Sequence, residues 1–166
     1  MRERMFAALT ILAACSAPAA PATRAASRFA PSTYTILTGG EAMALGRQCS
    51  RPSPGPITAQ WTPTSADIQA LEPNLETILR VHLTHDGITT PATDYYRQYA
   101  GFTIGGRRVI YINGVARGAI ETTDPNHPFD WRTQATGICD GGPITFGVEF
   151  DPAIGEFTHF AFNGAI

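Results

Sequence analysis

The sequence predicts an α+β domain in which one helix packs on an antiparallel sheet of four or five strands. Helical periodicity occupies one long stretch before residue 84, and alternating strand patterns fill the C-terminal half. The 16 glycines, the 13 prolines and a charged fraction of only 16% are typical of loop-rich β or α+β domains. At 166 residues, the chain has room for a single hydrophobic core.

A short helix is predicted within 39–48 and the main helix at 64–83. A Thr-x-x-Asp capping box opens the main helix, and apolar residues then recur at helical spacing. Pro73 lies inside this stripe and predicts a kink; because the apolar phase survives it, one kinked helix is favoured over two. Glu72 and Glu76 precede an arginine in the order that the helix dipole favours. The apolar stripe consists of Ile68, Leu71, Leu75, Ile78, Leu79 and His82.

The C-terminal half predicts antiparallel strands joined by tight turns. The pair 105–106 is Gly-Gly, a two-residue hairpin signal, and pairing across it sets Phe102 opposite Val109. The Val-Ile-Tyr-Ile run that starts at Val109 suits a strand covered on both faces. Residues 144–151 alternate apolar with small or acidic residues, which predicts one buried and one solvated face. A turn then leads into a last strand within 156–162.

The N-terminus has the features of a secretory signal peptide. A short basic start precedes an apolar run at 6–14, which is too short to span a bilayer because that needs ~20 residues. The run ends in Leu12-Ala13-Ala14-Cys15, which resembles the lipobox of bacterial lipoproteins. The resemblance implies that residues 1–14 are removed and that the Cys15 thiol carries a diacylglycerol, with fatty acyl chains such as palmitate. The alternative is an ordinary signal peptide cut among 17–22.

The same resemblance implies a location in the cell envelope. Two or more acyl chains anchor a protein stably, and the non-acidic Ser16 after the cysteine favours the outer membrane, with the domain facing the periplasm. Residues 15–33 are rich in Ala, Pro, Ser and Thr and are interpreted as the lipidated cysteine with its tether, and 34–166 as one domain. The domain resembles small envelope lipoproteins of proteobacteria, and its last hairpin is loosely similar to PepSY and cystatin-like repeats. No cofactor is expected besides the lipid.

The three cysteines predict one disulfide. If Cys15 takes lipid, Cys49 and Cys139 remain as an even pair in an oxidising compartment, where disulfides persist. The alternative is a catalytic or metal-binding thiol, but no second thiol or histidine lies near Cys139 in the sequence.

Two groups of residues are candidates for function. His82, His85 and Asp86 form an H-x-x-H-D pattern. Two imidazoles three residues apart on a helix can bind the same metal ion, and the aspartate is then the candidate third ligand. The pattern lacks a full ligand set, so a histidine at the core edge and an exposed one are favoured, and His159 is expected to be packed or at a rim. Tyr, Trp and Arg are enriched at binding hot spots but are also ordinary sheet residues. The candidate binding surface consists of Tyr95, Tyr96, Arg97, Tyr99, Trp131 and Arg132.

These observations favour a binding protein over an enzyme. The sequence has no nucleophile elbow, P-loop or dinucleotide fingerprint, and its net charge of −2 gives no indication of a nucleic-acid partner. The expected function is a non-enzymatic, membrane-anchored periplasmic module that binds another envelope component. An inhibitor of a cell-wall enzyme is one concrete form. The alternatives are a small metal-dependent hydrolase using His82, His85 and Asp86, and a structural envelope lipoprotein.

Overall fold

The computed structural model describes residues 26–52, 54–121 and 129–165. The predicted signal peptide, the lipobox and the first part of the tether lie outside these ranges. The helices are α1 (Gly39–Leu45), α2 (Ser65–His85) and α3 (Arg117–Glu121). The strands are β1 (Tyr34–Ile36), β2 (Ile57–Trp61), β3 (Tyr95–Ile104), β4 (Arg107–Ala116), β5 (Thr145–Asp151) and β6 (Glu156–Phe162).

The six strands form one mixed sheet, which confirms the predicted α+β class. Strands β3, β4, β5 and β6 pair in sequence order, each antiparallel to the next. On the other side of β3, β1 pairs in parallel with its first half and β2 pairs antiparallel with its second half. The sheet is therefore larger than the predicted four or five strands and is not purely antiparallel. Both unpredicted strands are short, and neither has an alternating pattern long enough to identify it.

The β3–β4 hairpin has the predicted register. Phe102 lies opposite Val109, and the turn between the strands is Gly105-Gly106. Both glycines have positive φ angles, +56° and +77°, as a two-residue hairpin turn of the favoured hand requires. Residues 109–112 are all buried, so this strand is covered on both faces as expected.

Helix α2 covers one face of the sheet. The capping box is present, since Thr64 accepts from the backbone N–H of Asp67 and the Asp67 carboxylate accepts from the backbone N–H of Thr64. The helix is one continuous element that runs through Pro73. Among the described residues, no helix is long and apolar enough to cross a membrane. The core between α2 and the sheet includes Ile68, Leu71, Leu75, Leu79, Tyr99, Ile110, Ile112, Phe146, Val148 and Phe150.

The opposite face of the sheet is covered as well, which corrects the prediction for β5. Helix α1 packs there in a second cluster with Phe102 and Tyr111, and the Cys49–Cys139 disulfide joins the chain after α1 to the loop before β5. The predicted disulfide is confirmed. All seven residues of β5 are buried, so the face expected to be solvated lies beneath a second layer. This layer is built from the short helix α1 and from connecting loops, and loops carry no periodic signal.

The first described residues pack against the domain. Both the backbone N–H and the guanidinium of Arg28 donate to the Glu76 carboxylate, at 2.7 Å and 2.6 Å. The Phe29 side chain is buried in the α2 core. The predicted tether is therefore wrong for these residues, which belong to the folded domain.

Candidate functional site

The predicted aromatic and arginine-rich surface does not exist as one surface. Tyr95, Arg97, Tyr99 and Trp131 are buried, and the polar groups of the first three side chains have partners inside the protein. The Tyr95 hydroxyl donates to the Pro143 carbonyl at 2.7 Å, for example. The prediction is wrong for the three β3 residues because alternation along the strand points their side chains toward α2. It is wrong for Trp131 because this side chain is buried in a separate cluster with Val115 and Ile120.

The remaining two residues of that set reach the surface beside Trp131. The Tyr96 ring stacks on the Trp131 ring with centroids 4.3 Å apart, and the Arg132 guanidinium lies 4.5 Å from the Trp131 centroid. Tyr96 also donates to Glu121 at 2.9 Å. This packing supports the loop and leaves little of the aromatic area accessible.

The histidines of the H-x-x-H-D pattern have separate partners. The His82 ring stacks on the Phe160 ring with centroids 3.9 Å apart. The exposed His85 has its Nδ1 atom 2.7 Å from Asp86 Oδ1. Within the described ranges, no group of three or more His, Cys, Asp or Glu residues has a geometry that could hold a metal ion. His82 therefore lies at the edge of the core, as the favoured interpretation expected.

A polar cleft opens on the sheet face opposite α2, and we call it the Arg51 cleft. Its volume is about 280 Å³. Its floor is the middle of β4 and β5, and its sides come from the loop after the disulfide and from β6. The described residues that line it are Arg51, Pro52, Gly55, Tyr111, Gly147, Glu149 and His159.

Arg51 is a buried cation, 7% exposed, whose partners are neutral. Its Nε and Nη2 atoms donate to the Tyr111 hydroxyl oxygen at 3.2 Å and 3.1 Å. Nη1 donates to the side-chain oxygen of Asn163, and Nη2 to that of Asn113. No carboxylate of the described residues forms an ion pair with it. A buried charge is costly without an ion-pair partner, and Arg51 brings such a charge to the lining of the cleft.

Backbone features hold this guanidinium in place. Arg51 follows the disulfide-bonded Cys49 by two residues, and the Ser50 carbonyl between them accepts from the Gly164 N–H at 2.9 Å. Gly147 on β5 lets the side chain approach the sheet, since a Cβ there would collide with Arg51 Nε and lie 2.8 Å from the Tyr111 oxygen. The guanidinium is therefore positioned before any ligand arrives.

Tyr111 adds a hydrogen-bond donor. Burial raises the pKa of the Tyr111 hydroxyl and the nearby Glu149 carboxylate adds to this, while Arg51 opposes it; the net shift is upward. The phenol is therefore neutral at physiological pH. Since its oxygen already accepts twice from Arg51, its own hydrogen is left to donate to an acceptor in the cleft.

A carboxylate and an imidazole complete the cleft. Glu149 on β5 is only 7% exposed, and its Oε1 lies 3.2 Å from Nδ1 of His159 at the rim. His159 has a φ angle of +57°, a region that non-glycine residues rarely adopt, and the β5–β6 register shifts beside it. Bulges of this kind re-aim a side chain next to functional sites. Here the irregularity directs His159 to the Glu149 carboxylate.

Sequence reasoning missed this site. Arg51 lies in a Pro-rich loop with no motif that indicates a function, and Glu149 was placed on a solvated face. The available signals were an arginine two residues after a disulfide cysteine and an acidic residue in a strand centre. Neither signal indicates a binding site unless the tertiary contacts of these residues are known.

No family model matches the chain, and comparisons with curated proteins and with solved structures find no match either. The function is therefore argued from the residues of the cleft and of the N-terminal motif.

Proposed function

We propose that this chain is a lipid-anchored protein of the outer membrane, facing the periplasm, and that its domain is a non-enzymatic module binding another envelope component in the Arg51 cleft. The observation that carries the binding role is the buried guanidinium of Arg51, which is hydrogen-bonded to neutral groups and lines an open cleft. The location is supported by the lipobox-like motif ending at Cys15 and by a disulfide, which suits an oxidising compartment.

The architecture of the cleft favours binding over catalysis. Arg51 is fixed by four hydrogen bonds, so little conformational entropy is lost when an anionic group pairs with it. The described lining offers no serine, threonine or cysteine beside the His159 imidazole to act as a nucleophile. Charge recognition at a rigid guanidinium is the chemistry that these residues supply best.

The membrane anchor is tested by substituting Cys15. We expect Cys15→Ser to move the protein from the membrane fraction to the soluble periplasmic fraction, because the lipobox resemblance assigns the acyl chains to the Cys15 thiol. The matched control is Cys49→Ser combined with Cys139→Ser, which keeps the anchor and should remain in membranes. Fractionation with mass spectrometry of the mature N-terminus measures both. An unmodified N-terminus downstream of Cys15 in the wild-type protein would contradict the proposal.

The binding role is tested by photo-crosslinking in intact cells. We expect a crosslinker at Pro52, on the rim of the Arg51 cleft, to capture an envelope component, and one at Val81, 60% exposed on α2, to capture none through this site. The capture should disappear with Arg51→Gln and persist with Arg47→Gln, an exposed arginine outside the cleft. Thermal melts of each variant establish that the fold is kept. A Pro52 crosslink that survives in a folded Arg51→Gln protein would refute the assigned site.

A further inference from the structure

We infer that the Arg51 cleft binds a small zwitterion, a molecule that carries a carboxylate and an ammonium group on a short carbon chain. The inference rests on the proposed function and names the ligand class of the same site.

Two buried, opposite charges line one cleft without pairing with each other. Arg51 and Glu149 are each only 7% exposed, yet no ion pair joins them. Arg51 is fixed by Tyr111, Asn113 and Asn163. Glu149 stands in the centre of β5, and its Oε1 atom lies 3.2 Å from Nδ1 of the rim residue His159. Each charged group therefore has contacts other than the opposite charge, and both line the cleft.

This separation selects against a ligand with a single charge. An anion alone would pair with Arg51 but would be repelled by the Glu149 carboxylate. A cation alone would pair with Glu149 but would be repelled by the Arg51 guanidinium. A zwitterion pairs with both at once and adds no net charge to a partly buried site. Its carboxylate would accept from Arg51 and from the Tyr111 hydroxyl, and its ammonium group would donate to Glu149.

The size of the cleft indicates a small molecule. A volume of about 280 Å³ lies just below the ~300–1,000 Å³ typical of sites for drug-sized ligands. A short amino acid meets this limit. The chain length of the best ligand then reports the separation of the two charged groups.

The test is a ligand-observed NMR titration of the full-length, lipidated protein in detergent micelles. The probes are alanine, β-alanine and γ-aminobutyrate, in which the two charges are progressively farther apart, with butyrate and butylamine as single-charge analogues. We expect one amino acid to bind at least about tenfold more tightly than either analogue. Arg51→Gln and Glu149→Gln should each weaken it about tenfold to a hundredfold, the usual loss for a hydrogen bond to a charged group.

Two exposed residues provide matched controls. Arg47→Gln and Glu156→Gln make the same chemical changes outside the cleft and should leave the affinity unchanged. If Arg51→Gln fails to fold, the isosteric Glu149→Gln variant and its control Glu156→Gln still test whether the cleft binds a zwitterion.

The outcomes separate this inference from the proposed function. If butyrate binds as tightly as the best amino acid and Glu149→Gln has no effect, the zwitterion is refuted while an anion-binding cleft stands. Binding by none of the five probes also refutes the zwitterion, and the Arg51-dependent Pro52 crosslink then decides the proposed function independently.

Discussion

Loss of the Cys49–Cys139 disulfide is expected to lower the free energy of unfolding by about 4–5 kcal/mol. The two cysteines are 90 residues apart in sequence, so the bridge removes a large amount of chain entropy from the unfolded state. Both cysteines are exposed, so their replacement by serine removes little packing from the folded state. For a domain of this size, the loss is a large fraction of a total of ~5–15 kcal/mol.

Urea unfolding of the Cys49→Ser/Cys139→Ser protein measures this effect. We expect a lower midpoint than in the wild type. A reducing agent should lower the wild-type midpoint by a similar amount and leave that of the double variant unchanged. Equal midpoints for oxidised and reduced wild-type protein would contradict the prediction. Because Arg51 follows Cys49 by two residues, the same variant should also weaken ligand binding in the Arg51 cleft.

The elements that the sequence predicted well are those with a local physical cause. Helix α2 combines a capping box with a long apolar stripe, and the helical spacing of that stripe continues past Pro73. The β3–β4 hairpin follows from a Gly-Gly pair between alternating segments. The disulfide follows from the count of cysteines left for pairing. In each case the signal lies within the segment or in composition, so no tertiary contact is needed to find it.

The second layer of the domain could not be predicted in this way. It consists of α1 and connecting loops, and its contacts join residues far apart in the chain, such as Gln98, which donates to the carbonyls of Trp131 and Gln134 at 2.6 Å. A strand beneath such a layer still has an alternating sequence, which indicates one buried and one solvated face. The sequence of β5 was interpreted in this way. The Arg51 cleft lies in this layer, which explains why the site was missed while the sheet beneath it was largely predicted.

A pair of charged residues on the other face of the sheet, one on α2 and one on β3, also could not be predicted from the sequence. Arg97 was placed on a candidate surface, and Glu72 was explained by the helix dipole. The structure pairs them in the core, with Arg97 Nε and Nη2 donating to Glu72 Oε1 at 3.0 Å and 2.9 Å. The sequence gives no sign of this pairing because the two residues belong to different elements whose relative placement depends on the whole fold.

Removal of one partner of this ion pair is expected to destabilise the domain by about 3–5 kcal/mol, since it leaves the other buried and uncompensated. Arg97 is 0% exposed, and its guanidinium also donates to the Tyr95 carbonyl and to Thr33 Oγ1. Glu72 additionally accepts from the Tyr99 hydroxyl at 3.2 Å. Burial raises the pKa of Glu72, and the hydrogen bonds and charge of Arg97 oppose that rise. The pair is therefore costly to bury and more costly to break.

A double-mutant cycle distinguishes this pair from an ordinary surface contact. We expect Glu72→Leu alone to cost about 3–5 kcal/mol, and Glu72→Leu combined with Arg97→Met to recover most of it, because two apolar side chains fill the space without charge. Asp94→Asn, which breaks the half-exposed pair with Arg117, should cost no more than about 1 kcal/mol. Urea unfolding of five proteins measures each step: the wild type, Glu72→Leu, Arg97→Met, the double variant and Asp94→Asn. If Glu72→Leu costs no more than Asp94→Asn, Arg97 is not held in the core by Glu72, and the contact between α2 and β3 must depend on apolar packing alone.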